Sequence, residues 1–191
     1  WDRPLHGLIS PGAFIPLADE IGLMVGIGRS VLRQACRQAR SWQTAFAGHE
    51  GLRVNVNLSP SELSDPGLVA DIESILKDSG LAPGRLVLEI TESGVMRNPD
   101  EALATMSTLR ALGVSLALDD FGTGHSSLAH LREFPIDSLK IAREFVSGLP
   151  EGHVDNVFVD AIVRLASSLG LDVVAEGVES ERQAALVRQF G

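Results

Sequence analysis

A single cysteine, Cys36, excludes any disulfide within the 191 residues, and its place among apolar positions of a predicted helix makes it a small buried residue. Histidine and cysteine never cluster at metal-ligand spacing, which argues against a zinc site. Basic residues form no stripe: 16 Lys and Arg stand against 25 Asp and Glu, a net charge of −9. That balance argues against a nucleic-acid polymer as partner. It leaves an anionic small ligand open, because bound cations can reverse a local field. No apolar run approaches a membrane span and no signal peptide opens the chain. A cytoplasmic setting is expected, with a membrane tether left open for the parent protein. The chain starts at Trp1 and stops at Gly191 directly after a helical pattern, so it is expected to be a piece of a longer protein.

The 45% hydrophobic content suits one globular core. Ser10 and Pro11 make an N-cap and N1 pair for a helix through Glu20 that Pro16 interrupts. A longer helix is predicted over 25–42, with Ile27, Val31, Leu32, Ala35, Cys36, Ala39 and Trp42 on one face and Arg29, Arg33, Arg37 and Arg40 in solvent. Along 52–58, Leu52, Val54, Val56 and Leu58 alternate with Arg53, Asn55 and Asn57, the pattern of a half-buried strand. A helical face through Leu68, Val69, Ile72, Ile75 and Leu76 then stops at Gly80. The figure repeats with strands at 86–90, 114–119, 138–141 and 171–175. Helices are predicted at 98–112, 127–132, 154–169 and 180–190, with a helical turn at 143–146. Five strands alternating with helices predict an α/β fold with a parallel sheet.

The segment 116–127 organises the rest. An apolar run ends in Asp119 and Asp120, and a glycine-bearing loop follows. Adjacent carboxylates repel unless a cation, a shared proton or solvent separates them. The competing account is that the pair starts a turn. Asn57, Glu89, Asp119, Lys140 and Glu176 all lie at or near strand C-termini, 32, 30, 21 and 36 positions apart, close to a βα repeat of roughly 30 residues. A closed (β/α)8 barrel makes such residues converge, whereas an open sheet spreads them along a line. Asn57, Glu89, Asp119 and Asp120 offer the hard oxygen ligands that Mg²⁺ and Mn²⁺ prefer. With Glu176 and Lys140 the set suits a phosphodiester hydrolase of the two-metal type. Taken singly, Asn57 or Glu92 could be a loop hydrogen-bonder, and Lys140 could pair with Asp137 or Glu144.

The runs Asn55-Val56-Asn57-Leu58-Ser59, Leu88-Glu89-Ile90-Thr91-Glu92-Ser93, Asp119-Asp120-Phe121-Gly122-Thr123-Gly124, Leu139-Lys140-Ile141 and Ala175-Glu176-Gly177-Val178-Glu179 resemble the EAL domain family over nearly the whole chain. The resemblance implies hydrolysis of the bacterial second messenger cyclic di-GMP to linear pGpG on a TIM-type (β/α)8 barrel with one antiparallel strand. It implies that Asn57, Glu89 and Asp119 bind a first Mg²⁺ or Mn²⁺, and that Asp119 bridges to a second helped by Asp120. Lys140 and Glu176 would position and activate the attacking water, and Glu179 would touch substrate. Glu92 would hold the loop after Asp120, which through Gly124 would reach a dimer interface. A homodimer and an upstream sensor or GGDEF domain in the parent are implied as well.

Measured against that family, the Glu-Ala-Leu signature and the Arg after it would precede Trp1, and a Gln-Gly motif would follow Gly191. Residues 1–191 are therefore expected to be one partial EAL domain: five parallel strands with the first two and the last missing, inactive alone for lack of the signature Glu. Ala142 stands where the family usually has Asp, and His125 where Tyr is common. The alternatives are a catalytically degenerate EAL module acting as a cyclic di-GMP sensor or protein-interaction domain, and an unrelated (β/α)8 enzyme.

Overall fold

Helix and strand periods divide the chain into short βα units, each too small to bury its own apolar face. The computed structural model describes residues 1–3, 7–46, 48–123, 128–149, 151 and 153–191. A two-residue antiparallel ribbon, β1 (Asp2–Arg3) with β2 (Gly7–Leu8), precedes α1 (Pro11–Glu20) and α2 (Met24–Ala45). Contrary to the sequence expectation, α1 runs through Pro16, although a proline inside a helix removes a backbone donor and crowds the carbonyl four residues earlier. The buried stripe of α2 also differs from the predicted one. It runs Met24, Gly28, Leu32, Cys36, Ala39, Gln43, whereas Val31 and Trp42 are 47% and 44% exposed. Gln43 is inside because its Nε2 donates to the Leu52 carbonyl at 2.9 Å, which ties the end of α2 to the chain entering the sheet. Arg29 is not merely solvated: its Nε donates to Asp71 Oδ2 at 2.6 Å, joining α2 to α4 (Leu68–Ser79).

The sheet comprises β3 (Val54–Leu58), β4 (Leu86–Thr91), β5 (Ser115–Phe121), β6 (Ser138–Ile141) and β7 (Asp172–Ala175). Its spatial order is the sequence order, and every pairing is parallel. A doubly wound sheet reverses direction at a switch point. This one never does, as the wall of a (β/α)8 barrel requires. The crossovers are α4, α6 (Pro99–Ala111), α7 (Leu128–Glu133) and α9 (His153–Ser168), and α10 (Glu181–Phe190) follows β7. Two one-turn helices sit directly at strand ends, α3 (Pro60–Leu63) after β3 and α5 (Glu92–Val95) after β4, and α8 (Arg143–Ser147) follows β6. Ile72, Leu86, Leu88, Ile90, Met106, Leu109, Leu116, Leu139 and Ile141 form the centre of the core, between sheet and helices.

The predicted strand 114–119 extends further, through Phe121, so Asp119 and Asp120 both lie inside β5, and a turn starts at Asp120, whose carbonyl accepts the Thr123 amide at 3.3 Å. The register of β5 on β6 shifts between Leu118 and Phe121. Such a bulge re-aims side chains, and here it carries Asp120 at φ 54°, the single non-glycine residue with positive φ among the described residues. Gly124 and His125 lie outside the described residues. No helix among the described residues is long and apolar enough to cross a membrane.

Candidate metal centre

Side chains alternate along a strand and stay on the same face between in-register neighbours. Asn57 pairs in register with Glu89, Glu89 with Ala117, and Ala117 with Ser138. Two residues further along the same face come Asp119 and Lys140, and Lys140 pairs with Val174, two before Glu176. The five strand-end residues singled out by spacing therefore share one face of one sheet.

Lys140 is the centre of that face. Its Nζ lies 2.8 Å from Glu89 Oε2, 3.0 Å from Asp119 Oδ1 and 2.5 Å from Glu176 Oε1. Of the alternative partners, Asp137 is engaged elsewhere: it accepts the Leu116 amide at 2.9 Å and pairs with Arg110. Burial of Lys140 works against its charge, but hydrogen bonds to Glu176, Glu89 and Asp119 outweigh it and hold the ammonium above the ordinary lysine range. Three carboxylates against one ammonium leave a surplus of negative charge. Asp120 adds to it, and its pKa is raised by burial and then by the neighbouring Asp119 and Glu176 charges.

The surplus is what a divalent cation would neutralise. One oxygen each from Asp119, Asp120 and Glu176 lie within 4.8 Å of one another, and the donors are all carboxylates, the hard set suited to Mg²⁺ or Mn²⁺. The donor chemistry fits such an ion. Asn57 stands beside Glu89 in register, but the side chain that touches Glu89 belongs to Asn55, whose Nδ2 donates to Oε1 at 2.7 Å. Sequence reasoning missed Asn55 as a site residue. The available signal was the two-residue spacing from Asn57, which puts both amides on one face.

Glu92 is fully buried at the start of α5. Its Oε2 accepts the amide of Gly122 at 2.8 Å, gripping the chain just past Asp120. Gly122 has φ 97°, and a Cβ there would meet Phe158 and Phe145 at 2.9 and 3.0 Å. The centres of those rings lie 4.4 Å apart, with their planes tilted by 43°. Glu179 is outside the lysine cluster: it is exposed and pairs with Arg143 Nη2 at 2.5 Å. Arg143 in turn packs its stem over Gly177, where a Cβ would come within 2.3 Å.

A parallel sheet in sequential order with acids and a lysine converging at its strand ends defines the wall of an α/β barrel with a candidate site at the strand C-termini. The sequence model of the EAL domain matches residues 1–191, and the chain belongs to that family. Among its relatives is the bifunctional diguanylate cyclase/cyclic di-GMP phosphodiesterase MucR of Pseudomonas aeruginosa, 44% identical over 191 residues, which are 100% of this chain and 28% of MucR. The cyclic di-GMP phosphodiesterase NbdA of the same organism is 45% identical over 189 residues, 99% of this chain and 24% of NbdA. The chain thus spans about a quarter of the length of these curated relatives. The solved PaMucR phosphodiesterase in complex with c-di-GMP superposes with a TM-score of 0.94 at 44% identity, covering 100% of this chain and 76% of that one. The EAL enzyme Bd1971 in its cAMP- and cyclic-di-GMP-bound form gives 0.94 at 29% identity, covering 100% and 52%.

Proposed function

We propose that this chain belongs to the catalytic region of a cation-dependent phosphodiesterase that opens one phosphodiester bond of cyclic di-GMP to give linear pGpG. The observation that carries the reading is Lys140 bound by Glu89 on β4, Asp119 on β5 and Glu176 just past the end of β7, with negative charge left over. Membership of the EAL family and the phosphodiesterase relatives supply the substrate class. Asn57, Glu89 and Asp119 would hold a first Mg²⁺ or Mn²⁺, and Asp119 with Asp120 a second. When bound, such ions lower the pKa of water and stabilise the entering and leaving oxygens of the phosphate.

The chain's own groups have separable tasks in this reading. Lys140, kept protonated by its partners, donates to an oxygen of the reacting phosphate or of the attacking water. Glu176, whose side chain is 34% exposed and the most open of the lysine's three partners, accepts the water proton. Glu92 keeps the Asp120–Gly122 turn in one conformation through the Gly122 amide, and Glu179 meets the nucleotide. A cytoplasmic homodimer and further domains in the parent belong to the same reading, and the greater length of MucR and NbdA supports the latter.

Incubating the protein that carries this chain with cyclic di-GMP and Mn²⁺, then separating the products by chromatography, tests the proposal. Cation-dependent appearance of pGpG is expected. Ala142 after Lys140-Ile141 favours a second reading, a module that binds the nucleotide without hydrolysing it. Saturable binding with the nucleotide recovered intact would select that one.

A further inference from the structure

The one-turn helix α3 lies between two glycines. On one side a Cβ at Gly28 of α2 would sit 1.5 Å from Glu62 Oε1; on the other, a Cβ at Gly94 of α5 would meet Pro60 Cγ at 3.1 Å and Thr91 Oγ1 at 2.9 Å. Glu62 is 3% exposed. Its Oε2 accepts from the Ser59 amide at 2.9 Å and from Ser59 Oγ at 2.5 Å, and its own amide donates to Ser59 Oγ at 3.3 Å. Ser61 Oγ donates to Asp19 Oδ1 in α1 at 2.9 Å. A single helical turn does not hold itself together in water, so these contacts decide where α3 sits. Ser59 is two residues past Asn57, with Leu58 between them in the core. On the far side, Gly94 is two residues from Glu92, the side chain that holds Gly122.

We propose that α3 is a positioning wedge for the cation site: Glu62, seated on the bare backbone of Gly28, fixes Ser59 and the end of β3 that carries Asn57, while Pro60 against Gly94 ties the same wedge to Glu92. The inference rests on the reading of Asn57 as a cation ligand. A capping box needs only an acceptor at Glu62, which glutamine also provides. The depth of the seat on Gly28, not the charge, is what sets the position. Glu62 and Gly28 are positioning residues and touch neither cation nor nucleotide.

The test measures Mn²⁺ affinity of the nucleotide-free protein that carries this chain by electron paramagnetic resonance, with thermal unfolding recorded in parallel. Positions that orient metal ligands typically change metal affinity about 10- to 100-fold. Glu62→Ala and Gly28→Ala are expected to weaken Mn²⁺ binding about tenfold, and Glu62→Gln to stay within about twofold of the parent. Gly28→Ala/Glu62→Ala is expected to be no better than Glu62→Ala. Recovery of parental Mn²⁺ affinity in that double variant would overturn the wedge, because Gly28 would then serve only to avoid a clash. A lowered thermal midpoint with unchanged Mn²⁺ affinity in Glu62→Ala would overturn it too. If Glu62→Ala does not fold, Gly94→Ala decides from the opposite side: weakened Mn²⁺ binding supports the wedge and unchanged binding overturns it. Asn57→Ala separates the two levels. Unchanged affinity in that variant removes Asn57 as a ligand and the wedge with it; weakened affinity there alone removes only the wedge.

Discussion

Lys140 Nζ on β6 lies 2.8 Å from Glu89 Oε2 on β4, although the whole of β5 runs between them. Strands two apart in a sheet are separated by roughly 10 Å, so the contact requires two long side chains leaning toward each other over a shorter one. Asp119 on β5 is that shorter one, and it bonds the same ammonium at 3.0 Å.

Replacing Lys140 with Met leaves Glu89 and Asp119 buried with no counter-charge. Removing one member of a buried ion pair costs on the order of 3 kcal/mol. The cation-free Lys140→Met protein is expected to unfold at correspondingly lower urea, to recover much of the loss when Mn²⁺ is added, and to lose at least about 100-fold in turnover. The raised lysine pKa sets the pH window. The stabilisation is complete below the unfolded value near 10.4 and fades only as pH rises through the higher folded value. Urea titrations of the parent protein at neutral and mildly alkaline pH should therefore show no loss attributable to Lys140.

Carboxylate oxygens of Asp119, Asp120 and Glu176 within 4.8 Å of one another predict that Mn²⁺ raises the thermal midpoint. Saturation to 100 times the dissociation constant stabilises by about 2.7 kcal/mol. Chelation should reverse the shift. Asp119→Asn should shrink it, since that residue also bonds Lys140; a full shift in Asp119→Asn would remove Asp119 as a ligand.

Gly122→Ala combines a φ of 97° with contacts of 2.9 and 3.0 Å to the Phe158 and Phe145 rings. A cost of about 2 kcal/mol is expected. Because Gly122 follows Asp120 and Phe121 directly and its amide is held by Glu92, kcat should fall more than KM changes. Glu92→Ala should produce the same kcat-dominated loss without the steric term. Steady-state kinetics and urea titration of both variants check this.

Cys36 is completely buried, and burial pushes its thiol up to about 11. An Ellman-type reagent should leave it untouched in the native protein at mildly alkaline pH and label it on unfolding. The sign of the linkage follows from the raised folded pKa. Its contribution to stability is complete below the unfolded value of 9.0 and is lost as pH climbs towards about 11. Cys36→Ala should flatten that part of the stability curve, which chemical denaturation at stepped pH measures.

Much of this molecule is determined by local pattern. The alternation over 52–58 makes β3 a strand with Val56 and Leu58 inside and Asn55 and Asn57 outside the core. Ser59 with Glu62, and Ser180 with Gln183, form capping boxes where the chain enters α3 and α10, and Gly80 ends α4 with φ 69°. The near-regular recurrence of Asn57, Glu89, Asp119, Lys140 and Glu176 places them at successive strand ends, because a βα repeat has a nearly constant length. These are properties of neighbours and periods, which the order of residues carries directly.

Tertiary packing decided the rest. Periodicity allowed Val31 and Trp42 on the buried face of α2, but the sheet accepts the stripe through Gly28, Cys36 and Gln43, because Gln43 finds the Leu52 carbonyl and Glu62 finds bare backbone at Gly28. The bulge that lifts Asp120 to φ 54° arises from the register of β5 on β6. The contacts Asn55 to Glu89, Lys140 to Glu89 and Glu92 to Gly122 join residues 30 to 51 positions apart. Pattern in the sequence determines which side chains share a face; which of them touch depends on the distances between strands and on the reach of each side chain, and those exist only once the sheet is assembled.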